Sequence, residues 1–370
     1  MERISLSSSD PAARRDALDR ALRALREGRV VALATETVYG LFAAASQPQA
    51  IARLRARRRD AGLLTVHLGR PAAAEKIIAN PSTLMRRVAR RAWPGPLTIV
   101  ARSAQPPDNV DAATRAAALF EDTLALRSPN TGLAHEVAAA LEPDTLLGTG
   151  ASLESGAPAT NADLVAEHGT DLLDLLIDEG PTRLKAPSSV LEFDGDRWKV
   201  TREGPIGERL IRRWLDGAVL FVCTGNTCRS PLAEGIFRAA YDRAVKAGRG
   251  APRVVASAGT SGASGVPMSE GSAVELKNRG IDPSRHRAQG LTVELLQAAD
   301  RIFTMTARHR RSVLDLVPAC EPRTALLDPA GDIADPVGMS QDAYARCAAQ
   351  IESAVQRRVE ELLDEDRRWE

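Results

Sequence analysis

The chain is poor in cysteine. Among 370 residues there are four, and two of them stand five positions apart in one short loop. That usage excludes a disulfide scaffold and suits a reducing compartment. Charge of one sign is also missing: 49 Lys and Arg against 48 Asp and Glu leave a formal charge of +1 at pH 7. The balance excludes strong nonspecific attraction to nucleic acid, although a local basic patch stays open. No apolar run is long enough to span a bilayer and no leader pattern opens the sequence. A soluble cytoplasmic protein with no membrane partner is therefore expected. Internal repeats and low-complexity tracts are absent, which argues against a solenoid or a long disordered region. The remaining composition is ordinary, with 44% hydrophobic and 26% charged residues. It can build a core in each of two domains, the number that this length suggests.

The most informative stretch is 222–234, Val-Cys-Thr-Gly-Asn-Thr-Cys-Arg-Ser-Pro-Leu-Ala-Glu. The apolar run Ala218-Val-Leu-Phe-Val222 before it reads as a buried strand. After it, Leu232, Ala233, Ile236, Phe237 and Ala240 fall on one face of a helix. The order strand, Gly-containing loop, helix N-terminus suits a phosphate. Backbone N–H groups in a tight loop form an anion-binding concavity, and the helix end adds free donors and a positive dipole end. Arg229 can grip two phosphate oxygens. The same field stabilises a thiolate, so Cys223 would lie beneath the bound phosphate as a nucleophile.

These residues resemble the loop of the low-molecular-weight protein phosphatase family, Cys-x-x-Gly-Asn-x-Cys-Arg-Ser. The resemblance continues through Ser257-Ala-Gly-Thr260, Gly280-Ile-Asp282 with His286-Arg-Ala288, a strand-like 299–305, and the acid loop Asp332-Ile-Ala-Asp-Pro-Val-Gly338. It covers about 217–370. It implies a Rossmann-like three-layer α/β domain with a central parallel sheet, no cofactor and no metal. It also implies that Cys223 attacks phosphorus while Asp335 protonates the leaving group and then activates water. Arg229 and the loop residues Thr224, Gly225, Asn226, Thr227, Cys228 and Ser230 would bind the phosphoryl group. Within this, Ser230 would hydrogen-bond the thiolate and Asn226 would hold the loop. Asp332 and Asp328 lie near Asp335, but only Asp335 has the family's following Pro-x-Gly. The family also implies a reversible Cys223–Cys228 disulfide, with a plain buried thiol at Cys228 as the alternative.

The substrate would be a phosphorylated protein. Phosphotyrosine members often carry an aliphatic residue between Asn and the second Cys, whereas Thr227 resembles the protein-arginine phosphatase branch. Val337 stands where an aromatic residue often lines the pocket. Phosphoarginine is the favoured reading and phosphotyrosine the alternative. A thiol-dependent arsenate reductase uses a similar loop but needs two further cysteines close in sequence. Only Cys320 and Cys347 remain, and they are far apart.

The first half opens with Ala/Leu and Arg/Asp at helical spacing over 10–27, then a strand-like 28–33. Thr35-Glu-Thr-Val-Tyr-Gly-Leu41, Trp93-Pro-Gly-Pro-Leu-Thr-Ile-Val100, Leu126-Arg-Ser-Pro129, Ser188-Ser-Val190 and Arg202-Glu-Gly-Pro-Ile206 follow. Together they are similar to the threonylcarbamoyl-AMP synthase (YrdC-type) family over about 10–212. The resemblance implies a twisted α/β sheet and condensation of threonine, bicarbonate and ATP, with Mg²⁺ on the phosphates, for tRNA modification. Thr35 and Thr37 would line the threonine or nucleotide site, Arg127 and Ser189 would face ATP, and Ser155 would lie near the adenylate. Arg202 joins this set.

Departures fall at the site itself. The family's Lys-x-Arg pair reads Arg57-Arg58-Arg59, so Arg57 and Arg59 would have to grip phosphate, and Arg differs from Lys in reach and geometry. The Ser-Ala-Asn triplet reads Ala151-Ser152-Leu153, leaving Ser152 as its hydroxyl. Three readings stay open: an active synthase, a nucleotide- or RNA-binding module (double-stranded RNA included), or a binder of another small acid. Residues 206–215 read as a short amphipathic helix. The boundary is expected near Arg213–Gly217, giving domains 1–214 and 215–370.

Overall fold

The computed structural model describes residues 1–6, 10–56, 63–102, 104–108, 110–151, 156–168, 172–261 and 265–368. Two compact units are present, Met1–Ile211 and Arg212–Arg367.

The first unit holds a mixed ten-stranded sheet. Its strands are β1 (Glu2–Ser5), β2 (Val31–Ala34), β3 (Tyr39–Ala44), β4 (Thr65–His67), β5 (Leu97–Ala101), β6 (Leu124–Arg127), β7 (Leu146–Gly150), β8 (Leu175–Asp178), β9 (Ser189–Asp194) and β10 (Arg197–Arg202). They lie in the order β1-β8-β2-β3-β7-β4-β6-β5-β9-β10. The helices are α1 (Pro11–Arg26), α2 (Pro48–Ala56), α3 (Thr83–Ala92), α4 (Ala112–Ala118), α5 (Leu133–Ala140) and α6 (Ala162–His168). Asp10 caps α1 by accepting from the Ala12 amide at 2.9 Å. Ala17, Ala21, Leu22 and Leu25 then bury one stripe of α1 with Leu133, Ala134 and Val137 of α5 and with Val31 and Leu33 of β2. The strand expected at 28–33 begins only at Val31. Gly28, at φ +77°, closes the helix with its amide on the Leu25 carbonyl, and the Arg29 amide reaches Ala24. The strand is three residues shorter at its start than expected: Gly28 and Arg29 serve the cap, and the Val30 amide donates to Asp174 at 2.8 Å.

Helix α7 (Glu208–Asp216) runs across the divide between the units. In the second unit, β11 (Val219–Cys223), β12 (Val255–Gly259), β13 (Arg301–Thr304) and β14 (Thr324–Leu326) form a fully parallel sheet ordered β12-β11-β13-β14. Its helices are α8 (Arg229–Lys246), α9 (Glu270–Asn278), α10 (Val293–Ala298), α11 (Ala307–Leu316) and α12 (Gln341–Glu365). Every residue of β11 is buried, as expected of a parallel strand covered on both faces. Val219, Phe221 and Cys223 point into one core with Leu232, Ile236 and Phe237 of α8 and Ile351 and Val355 of α12. Leu220 and Val222 point into the other, with Leu296 of α10 and Val313 of α11. This is the three-layer order. Because β11 has β12 on one side and β13 on the other, the loop after it opens at the point where the strand order reverses, the usual ligand crevice of such sheets.

Candidate active site

The backbone after β11 curls around the Cys223 sulfur. The Asn226 amide donates to Sγ at 3.2 Å, and Ser230 Oγ lies 3.0 Å from it. The curl requires φ +56° at Asn226, a conformation Asn tolerates better than most residues. Its polar groups are all used in holding it. Nδ2 donates to Ser230 Oγ at 2.9 Å and Ser257 Oγ at 2.8 Å, and Oδ1 accepts from the Gln289 amide at 2.9 Å. His286 Nε2 lies 2.8 Å from the Asn226 carbonyl. The Ser257 hydroxyl donates in turn to Glu234 Oε2 at 2.6 Å. Gly259, at the end of β12, is demanded by close approach. A Cβ there would stand 2.5 Å from the Thr224 carbonyl oxygen and 2.9 Å from the Asn226 nitrogen.

Arg229 opens α8 and is buried. It donates Nη1 to the Ile333 carbonyl at 3.0 Å and pairs through Nη2 with Asp335, whose side chain is 42% exposed. Its Nε is buried without a partner among the described residues. The amides of Gly225, Thr227, Cys228 and Arg229 make no hydrogen bond among the described residues. The loop thus brings together a thiol, a guanidinium, a carboxylate and free N–H donors. Asp332 and Asp328 do other work. Asp332 accepts from the Ala307 amide at the start of α11, at 2.7 Å, and Asp328 accepts from Gln350 and Arg357 of α12.

Cys228 turns to Ser269 Oγ at 3.1 Å and the Tyr344 hydroxyl at 3.8 Å. Thr227 Oγ1 leans over Gly225, 3.3 Å from where a Cβ would stand. Cys320 and Cys347 are free thiols in cores on opposite faces of the sheet, so no cysteine pair stands ready for a relay. Burial pushes the Cys347 thiol up to about 12, which keeps it protonated. Val337 and Met339, beside Asp335, are 60% and 63% exposed and form an apolar lip.

The first unit assembles part of its expected site. Arg127 Nη2 donates to Glu36 Oε1 at 2.7 Å and Thr37 Oγ1 at 2.8 Å, and Thr35 and Thr37 hydroxyls lie 2.8 Å apart. Glu36 is fully buried and also accepts from the Asn130 amide at 3.2 Å. Arg127 Nε and Thr182 Oγ1 are buried without partners among the described residues. Ser189 is buried. It donates to the Ile206 carbonyl at 2.7 Å and accepts from the Ile206 amide at 2.9 Å, closing the turn before α7. Arg202 reaches Ser188, whose hydroxyl meets Thr98 at 2.7 Å. Arg57, Arg59, Ser152 and Ser155 lie outside the described residues.

Sequence reasoning missed Glu36, His67 and His309. His67 pairs in register with Arg127 and packs edge-on against Phe42 at 4.8 Å. Burial, then Arg127, lowers it to about 3. Glu36 was readable only as the acidic residue between two threonines, and the histidines carried no sequence signal at all. Among the described residues no group of three or more His, Cys, Asp or Glu could hold a metal ion, and no helix is long and apolar enough to cross a membrane.

Residues 23–204 match the family model described as telomere recombination, and residues 218–368 match that of the low molecular weight phosphotyrosine protein phosphatase. A protein-arginine-phosphatase of Geobacillus stearothermophilus is 32% identical over 152 residues, which are 40% of this chain and 97% of that protein. A probable low molecular weight protein-tyrosine-phosphatase of Erwinia amylovora is 30% identical over 39% of this chain and 96% of its own length. A threonylcarbamoyl-AMP synthase of Pyrococcus abyssi is 33% identical over 46% of this chain and 48% of that protein, so the chain spans about half the length of that relative. The chain is thus an enzyme that belongs, through its second unit, to the low molecular weight protein phosphatase family, with a domain resembling threonylcarbamoyl-AMP synthase fused before it.

Proposed function

We propose that the second unit hydrolyses phosphoarginine in protein substrates through a phosphocysteine intermediate. The Cys223 thiolate attacks phosphorus, an S–P bond forms, and the P–N bond breaks as Asp335 gives its proton to the departing guanidine. Water then attacks phosphorus, Asp335 takes the water proton, and the S–P bond breaks to restore the thiolate. Arg229 and the unpaired loop amides neutralise the equatorial oxygens. The observation that carries the chemistry is the curl of Asn226 and Ser230 around Cys223, with Arg229 and Asp335 at one mouth. The arginine preference rests on Thr227, which stands over the loop where an aliphatic side chain would favour an aromatic ring. The test compares phosphoarginine- and phosphotyrosine-bearing peptides as substrates of the full chain and of Thr227→Ile. Preference for phosphoarginine in the wild type, shifting toward phosphotyrosine in the variant, is expected. A wild type preferring phosphotyrosine overturns the assignment.

For the first unit, we infer binding of ATP with threonine and bicarbonate around Thr35, Thr37 and Arg127, where Arg127 Nε is buried without a partner among the described residues. Any Mg²⁺ would arrive on the nucleotide phosphates. Pyrophosphate release by the full chain that needs both threonine and bicarbonate supports a synthase. ATP binding without release supports a second reading, a nucleotide- or RNA-binding module, which the engagement of Arg127 by Glu36 favours. Four free cysteines, all in the second unit, suit the cytoplasm.

A further inference from the structure

Beyond the loop and the acid, one buried imidazole touches the phosphatase site. His309 lies in the first turn of α11 and is 4% exposed. Its two ring nitrogens meet two hydroxyls, Nε2 with Thr224 Oγ1 at 2.8 Å and Nδ1 with Thr306 Oγ1 at 2.9 Å. Thr306 already accepts from the His309 backbone amide at 3.3 Å, so its own proton is free to go to Nδ1. A neutral imidazole then has Nε2–H left to donate to Thr224. Burial, then Arg229, lowers His309 to about 4, which keeps it in this neutral form near pH 7.

Thr224 follows the nucleophile directly and is exposed at the mouth of the loop. The same helix end is tied to the acid loop. Asp332 accepts from the Ala307 amide, and the Ile333 amide donates to the Met305 carbonyl at 2.8 Å. Arg229 in turn donates to the Ile333 carbonyl. The end of α11 therefore holds the nucleophile loop through His309 and the acid loop through Asp332.

We propose that His309 is a positioning residue for the phosphatase reaction, its Nε2–H on Thr224 Oγ1 fixing the phosphate loop in register with the acid loop. The inference rests on the phosphatase reading. It also leaves the Thr224 hydroxyl proton pointing away from His309, available to a bound phosphoryl oxygen.

The test follows hydrolysis of para-nitrophenyl phosphate, which is indifferent to the phosphoarginine question, by the full chain. His309→Ala is expected to lower kcat about 10- to 100-fold, the scale of a misplaced reacting group, with KM changed less than about 3-fold. His309→Gln, which can place an amide N–H near Nε2, is expected to recover most of the loss. Thr224→Val cuts the same bond from an exposed position without disturbing the buried ring. Combined with His309→Ala, it is expected to cost no more than either change alone. Losses that multiply in the double variant, or a Thr224→Val enzyme with wild-type kcat, overturn the positioning role while leaving the phosphatase reading intact. A wild type that hydrolyses nothing overturns both.

Discussion

In the second unit the thiol, its hydroxyl partner, the guanidinium and the free amides come from one stretch, Cys223–Ser230, at the end of a buried strand. In the first unit the cluster joins Thr35, Glu36 and Thr37 to an arginine 90 residues beyond Thr37. The two sites also stand differently toward a ligand. Arg229 shares a half-exposed carboxylate and keeps buried Nε free. Arg127 is matched by Glu36, which no solvent reaches. A cation answered by an exposed acid can exchange that partner for phosphate at little cost. A cation answered by a buried acid leaves an uncompensated charge behind if it moves. On that ground the second site is poised for turnover, and the first is built foremost to hold its own shape.

The sharpest way to break this comparison is Cys223→Ala. Loss of para-nitrophenyl phosphate hydrolysis by roughly 10⁴-fold or more is expected, as for other nucleophiles acting within a unit, with the unfolding of the first unit unmoved. Residual hydrolysis near wild type would mean that the nucleophile lies elsewhere. Asp335→Asn comes next, with about 10²- to 10⁴-fold lost from kcat. The loss should be greatest for leaving groups that need a proton. If a good aryl leaving group suffers as much as a poor alkyl one, Asp335 is only the tether of Arg229. In the first unit, Glu36→Ala strands a buried guanidinium and should cost about 3–5 kcal/mol in urea unfolding. An unchanged midpoint would show that Arg127 does not depend on its acid, and the contrast drawn above would fail.

What could be read in advance follows from the same contrast. The loop was legible because its chemistry is local: Cys, Gly, Asn, Arg and Ser fall within one strand–loop–helix passage, and the apolar spacing of Leu232, Ile236 and Phe237 set the helix face. The choice of Asp335 over Asp332 was equally local, and the structure gives Asp332 a capping task. The partner of Ser189 could not be read in advance, because its hydroxyl closes a turn onto Ile206, 17 residues on. Strand β2 begins late because a glycine cap outranks apolar content at Gly28. The roles of Glu36, His67 and His309 depend on partners brought by register and helix docking, such as His67 opposite Arg127. Nothing in a single sequence marks such pairs.

The smallest effect sharpens the comparison most finely, because each unit buries one neutral histidine. His67 is lowered to about 3 by burial and Arg127, and His309 to about 4 by burial and Arg229, with Asp335 and Asp332 pulling the other way. An unfolded histidine takes its proton near pH 6.5, so below that pH the unfolded chain binds more protons than the folded one. Folding stability then falls with pH by about 1.4 kcal/mol per unit for each histidine. Above pH 6.5 neither contributes. In each unit the loss should run on until the folded ring takes its proton, near pH 4 for His309 and near pH 3 for His67. Urea midpoints measured from pH 7 to 5 should flatten for the first unit in His67→Leu and for the second in His309→Gln, each leaving the other unit's slope alone. A slope unaltered in His67→Leu would mean that the ring meets water in the folded state, and the closed character assigned to the first site would go with it.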